Sequence, residues 1–261
     1  MKNKKLNIFL SILFVFQIVF VQLISRYPSF IEQYYSNGIY LFTSKFLRIL
    51  FGWIPFSFGD LVIGFLFFVS FRFIYRLFKD KFKKLKSKLL QVIAFISIVY
   101  SCFYWFWGFN YFRESLAKSL GYNQTKYTTE QLTEVSKNII QQLNKTQFLI
   151  TKNDSLKIVN PYSQEEMYQK ALSGYTNLAN TYPQFEYRFK SVKSSLMSLL
   201  QTYNGTSGYF NPFTGEAQVN DLIPKPGYPT TVCHEMAHQI GFAAENEANF
   251  IGCLAAINHD D

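Results

Sequence analysis

Three runs of this chain, residues 6–25, 58–77 and 89–109, stay apolar for the length an α-helix needs to cross a bilayer. Inside hydrocarbon each backbone N–H and C=O must find its partner within the protein, so such runs fold as helices. The first is broken only by Asn7, Ser11, Gln17 and Gln22, and Lys2, Lys4 and Lys5 precede it. A secretory signal starts the same way, yet no small-x-small cleavage site follows before Arg26-Tyr27-Pro28, so the segment reads as a retained anchor. Between the second and third runs stand Arg72, Arg76, Lys79, Lys81, Lys83, Lys84, Lys86 and Lys88 against a single Asp80. The positive-inside rule puts that loop and the N-terminus in the cytoplasm, and everything after about residue 110 outside the cell membrane. Trp105, Trp107 and Tyr111 fit an interfacial aromatic belt at the end of the third span.

That topology accounts for the formal charge of +9. Residues 1–88 carry a net +11 and residues 89–261 a net −2. The basicity orients the chain in a bilayer, and no basic face remains on the outer part to bind nucleic acid. Residues 39–55 recur with roughly helical spacing, broken by Lys45 and Arg48, and read as an interfacial amphipathic helix or a re-entrant segment. Asp60 reads as an end cap near the headgroups.

Residues 110–261 are numerous enough for one domain with its own core. Thr128 to Gln131 and Ser163 to Glu166 have the form of capping boxes, each followed by apolar residues at helical spacing. A third helix is expected from Phe189 to Tyr203. Asn123, Asn153 and Asn160-Pro161 mark loops. Ser207 to Asn220 reads as a hairpin turning at Pro212 to Gly215. Its second strand, including Gly215, Glu216, Ala217 and Gln218, is the candidate edge on which an extended substrate could pair through main-chain hydrogen bonds. The expected fold is a three-helix membrane region, residues 1–109, joined to a mainly helical α+β domain, residues 110–261.

The chemistry concentrates in Cys233-His234-Glu235-Met236-Ala237-His238-Gln239-Ile240-Gly241. Histidines at i and i+4 share one helix face and can reach one metal ion, while Glu235 beside the first can take a proton from water. Tyr228-Pro229-Thr230-Thr231 supplies a helix start, with Thr230 or Thr231 as N-cap, and Gly241 a helix end. A second helical run starts near Ala243. Its Glu245 and Glu247 are the two choices for a third ligand. Cys233 lies about 100° around the helix from His234 and is a poor ligand. Cys233 and Cys253 could pair outside the cytoplasm, but read better as small buried residues.

The run Glu245-Asn246-Glu247-Ala248-Asn249 resembles the E-x-x-A-D/N signature of gluzincin peptidases, including the membrane-bound HtpX-like and the ImmA/IrrE-like metallopeptidases. The resemblance implies a zincin-like domain with Zn²⁺ on His234, His238 and Glu245, and Asn249 supporting a ligand. Spacing agrees, since Asn249 lies one turn from Glu245 and Glu247 points away to solvent. Ser207 to Glu216, Ile54 to Asp60 and the H-E-x-A-H-Q-x-G-F run are similar to an uncharacterised family of bacterial multi-pass membrane proteins grouped with zinc peptidases by motif. The implied activity is hydrolysis of peptide or protein substrates by a membrane-anchored zinc metallopeptidase, with Glu235 as base. The alternative is a non-catalytic membrane sensor or assembly factor that keeps a structural zinc. Peptidases of this group carry more structure below the zinc site, so a cleft incomplete at the C-terminus is expected.

Overall fold

The computed structural model describes residues 2–122 and 126–260; Asn123 lies outside them. Three helices are long and apolar enough to cross a membrane: α1 (Lys2–Ile24), α4 (Phe58–Lys79) and α5 (Leu85–Phe106). α1 packs along α5, where the Gln17 amide bonds both Ser101 Oγ (2.8 Å) and Ser97 Oγ (3.2 Å). Polar pairs of this kind hold helices together where both helices and lipid are apolar. α4 is different: only Gly59 and Asp60, in its first turn, are buried. It is attached by its N-terminus.

Between α1 and α4 the chain is helical almost throughout. α2 (Pro28–Phe30) runs through a π-helical stretch, Ile31–Ile39, into α3 (Tyr40–Gly52). α3 is two-faced. Phe42, Phe46, Ile49 and Leu50 are exposed, while Tyr40, Ser44, Leu47 and Arg48 are buried. The buried face packs on the C-terminal half of the protein, so this segment is a strut between the two regions as well as an amphipathic helix.

A 3₁₀ turn, Gly108–Phe112, leads through α6 (Leu116–Ser119) to α7 (Thr129–Thr151) and α8 (Gln164–Thr181). Both expected capping boxes form, on Thr128/Gln131 and Ser163/Glu166. α7 buries none of its residues, so its apolar stripe of Leu132, Val135, Ile139 and Leu143 is exposed. α8 buries Met167, Ala171, Tyr175 and Leu178. The expected helix at Phe189 to Tyr203 is only α9 (Ser198–Asn204). Val192–Ser194 forms β1 instead, because parallel pairing with a later strand outweighs local helical spacing.

The hairpin forms as read, from β2 (Gly208–Asn211) and β3 (Glu216–Val219), with Gly215 at φ +67° closing the turn. The sheet order is β1-β3-β2. β3, carrying Glu216, Ala217 and Gln218, is therefore the central strand, paired on both sides. It has no free edge for a substrate; the open edges belong to β1 and β2.

α10 (Tyr228–Gln239) starts at Gly227 without a side-chain cap, so neither Thr230 nor Thr231 is the N-cap; Pro229 lies in its first turn. It ends at Gly241, φ +95°, where the Phe242 N–H donates to Ala237 O (3.1 Å). This left-handed residue reverses the chain into α11 (Glu245–Ile257). α8, α10, α11 and the sheet enclose the main core around Tyr175, Phe185, Met236 and Ile251, all fully buried.

Candidate metal centre

α10 places His234 and His238 on one face, their rings 4.7 Å apart. The turn at Gly241 brings Glu245, the first residue of α11, against them. Glu245 Oε2 is 3.2 Å from His234 Nε2, Glu245 Oε1 is 3.6 Å from His238 Nε2, and the two Nε2 atoms are 3.1 Å apart. A four-coordinate ion with bonds of about 2.0–2.1 Å needs donor atoms about 3.3 Å apart, close to the 3.1 Å between the two imidazole nitrogens and the 3.2 Å from His234 Nε2 to Glu245 Oε2. Among the described residues, His234, His238 and Glu245 are the group whose donor atoms converge in this way.

The tautomer suits the role. His238 Nδ1 lies 2.8 Å from the Phe242 carbonyl, which can only accept, so Nδ1 carries the proton and Nε2 presents its lone pair to the centre. Burial, then His234, pushes the His238 pKa down, which keeps the ring neutral. Two imidazole nitrogens and a carboxylate converging without a cation of their own form a donor set for a divalent ion.

Membrane-region residues hold the end of α10. The last carbonyls of a helix lack partners within it. Tyr40 Oη and Ser44 Oγ donate to Gln239 O at 2.8 and 2.9 Å, and Trp107 Nε1 donates to His238 O at 3.0 Å. The Trp107 ring also stands edge-on to His238. Trp107 is thus buried beneath the site and is not part of an interfacial belt. Arg113 pairs with Glu32 and donates to Gly241 O (3.0 Å), fixing the turn between the ligands. Their aromatic and basic character was visible in the sequence, but nothing local tied these residues to a motif more than a hundred residues away.

Glu235 is buried and lines a pocket of about 260 Å³ with Ser207, Gly208, Thr230, Thr231, His234 and Asn249. Burial pushes its carboxyl up to about 8, with the Glu245 carboxylate adding to the shift. A cation on the ligand triad acts in the opposite direction. Among the described residues Glu235 Oε2 has no hydrogen-bond partner, so one acceptor of a buried carboxylate is left for a polar ligand group. β2 crosses directly above: a Cβ on Gly208 would lie 2.8 Å from Glu235 Oε1 and 2.9 Å from Gln218 O. Gly208 is a site residue that the sequence reading missed.

Asn249 reaches the pocket wall, is exposed, and makes no hydrogen bond to either histidine or to Glu245 among the described residues. Glu247 is not solvent-facing as expected: its Oε1 accepts the Leu116 N–H at 2.6 Å and starts α6. Cys233 is buried and Cys253 exposed, and both are free thiols. Burial pushes the Cys233 thiol up to about 12, and its sulfur is not among the donor atoms that converge with His234.

A family model described as a protein of unknown function (DUF3810) matches residues 35–261. The chain belongs to that family. The match takes in α3, the start of α4, the sheet and both helices of the candidate metal centre. No curated protein and no solved structure matches the chain.

Proposed function

We propose that this protein is a membrane-anchored zinc metallopeptidase whose zincin-like domain works outside the cytoplasm. The observation that carries the reading is the convergence of His234, His238 and Glu245 beside a buried, half-unpartnered Glu235. Three protein ligands suit a catalytic site, whereas structural zinc sites close with four. When bound, the ion supplies Lewis acidity and lowers the pKa of water.

The chain's own residues do the rest. Glu235 Oε2 accepts a proton from water in the pocket and returns it to the leaving amine. Burial raises the pKa of this carboxyl, and a cation on His234, His238 and Glu245 would lower it again. β2 is the free edge beside Glu235, so an extended peptide pairs there and not along β3. The lysine-rich turn between α4 and α5 lies in the cytoplasm with the N-terminus, and the substrate is a peptide or protein met outside the membrane.

Metal content tests the reading. Full-length protein in detergent should hold about one zinc per chain, and a His234→Ala/His238→Ala variant none. Wild type that holds no zinc after purification without chelator removes the proposal.

A further inference from the structure

We infer that Asp60, in the first turn of α4, is a positioning residue for Glu235 that acts through Tyr209 and the edge strand β2. Its effect on turnover rests on the peptidase reading; its effect on β2 does not.

A carboxylate is costly at the start of an apolar helix, and Asp60 is 4% exposed. It is satisfied entirely from the other half of the chain. Oδ2 accepts Ser195 Oγ (3.0 Å) and the Leu196 N–H (2.7 Å), and Oδ1 accepts the Tyr209 hydroxyl. Its neighbours are held as firmly. Glu216, on β3, accepts the N–H groups of Phe58 and Gly59, doing for the helix N-terminus what a capping carboxylate does. Lys193, on β1, pairs with Glu216 at 3.3 Å and donates to the carbonyls of Phe51, Ile54 and Phe56. A Cβ on Gly59 would sit 2.5 Å from both the Asn211 and the Gln218 amides. The helix start therefore seats directly on the sheet.

Two properties make this more than an anchor. Tyr209 and Gly208 are adjacent on an edge strand, so their side chains leave opposite faces. The face that Tyr209 fastens to Asp60 is opposite the face that Gly208 lays against Glu235. An edge strand has a ladder on one side only, and β2 hydrogen-bonds in the ladder to β3 alone, its other contacts being packing such as Phe210 on Trp107. Asp60 supplies a second fixed point for it. Release of that point frees the wall of the Glu235 pocket while His234, His238 and Glu245 stay on α10 and α11.

The test uses the full chain in detergent, as wild type, Tyr209→Phe, Asp60→Ala and Asp60→Asn. Asp60→Asn can keep its carbonyl on the Leu196 N–H and turn its NH₂ to the Tyr209 oxygen, so it is the conservative rescue. Tyr209→Phe removes one hydroxyl and serves where Asp60→Ala fails to fold. Hydrogen exchange of residues 208–211 and hydrolysis of labelled casein per bound zinc are measured together. Tyr209→Phe and Asp60→Ala should speed exchange at 208–211 about tenfold or more without changing α8 or α11. They should lower kcat per bound zinc about tenfold with little change in KM, and Asp60→Asn should recover most of both. Unchanged exchange at 208–211, or a rise spread evenly over the domain, overturns the positioning role. A local rise with wild-type turnover per zinc also overturns it. Wild type that holds zinc and cleaves no casein counts against the peptidase reading, and the exchange data then decide by themselves whether Asp60 holds β2.

Discussion

Gly252 offers a sharp test of how the metal centre is built. It lies on α11 two turns after Glu245, on the same face, where α11 crosses α10. A Cβ there would lie 2.8 Å from His234 N, 2.9 Å from its Cα and 3.2 Å from its Cβ. Ordinary carbon contacts are about 3.5–4.0 Å, so Gly252→Ala must push the helices apart by about 0.7 Å. The obstacle is backbone, which cannot rotate aside. Helix propensity alone predicts the opposite sign, a gain of about 1 kcal/mol for alanine over glycine. Overpacking costs about 1–3 kcal/mol, so the net change should be destabilising. The displacement also moves Glu245 relative to His234 by more than the roughly 0.2 Å that metal–ligand distances tolerate. Zinc affinity should fall at least about tenfold, the scale seen when groups supporting a ligand are disturbed. Competition with a chromophoric chelator measures affinity, and thermal melting measures stability. Gly64→Ala is the control, since no atom lies within 4 Å of its added Cβ. A Gly252→Ala protein that binds zinc like wild type and melts at or above its temperature would refute the close-approach argument.

Glu235→Gln should retain its zinc and lose about 10²–10⁴-fold in casein hydrolysis, the usual range for a general base; near-normal turnover would remove Glu235 from the mechanism. The two acids of α11 should separate cleanly. Glu245→Ala should lose zinc, whereas Glu247→Ala should keep it and lose about 1–3 kcal/mol, because the Leu116 N–H loses its acceptor. Metal analysis and melting of both variants check this, and equal zinc loss would contradict it. Lys193→Met should destabilise by about 3–5 kcal/mol by leaving Glu216 unpaired at 0% exposure, and adding Glu216→Gln should recover part of that loss. Additive losses in the double variant would show that the two groups are not coupled.

What could be read in advance was local. The capping boxes at Thr128 and Ser163 involve atoms three residues apart, and both formed. The helix end at Gly241 and the turn at Gly215 need only one residue with φ above zero, and both glycines adopt it. The three apolar helices follow from the need to satisfy their backbone inside each segment. His234 and His238 share a face because of helix pitch alone, and Glu245 follows after a single turn. All of these depend on chain geometry over a few residues.

The misreadings share the opposite property. The local pattern of Val192 to Ser194 suits a helix as well as a strand, and pairing with Ala217 to Val219, some two dozen residues on, makes it β1. From the sequence β3 reads as an edge, because a hairpin has two edges until a third strand covers one. Asp60 reads locally as a cap near the headgroups, whereas its partners lie at 195, 196 and 209. Trp107 reads locally as part of an aromatic belt, whereas its N–H finds a carbonyl at 238. The sequence by itself determined which helices carry capping boxes, which runs can cross a bilayer, and that His234 and His238 share one face with an acid of the next helix close by. Tertiary structure alone decided which strand faces the site, what holds the free end of α10, and how the second apolar helix is seated. A buried hydrogen bond is worth making only once both partners have left water, and their meeting depends on the packing of every segment between them.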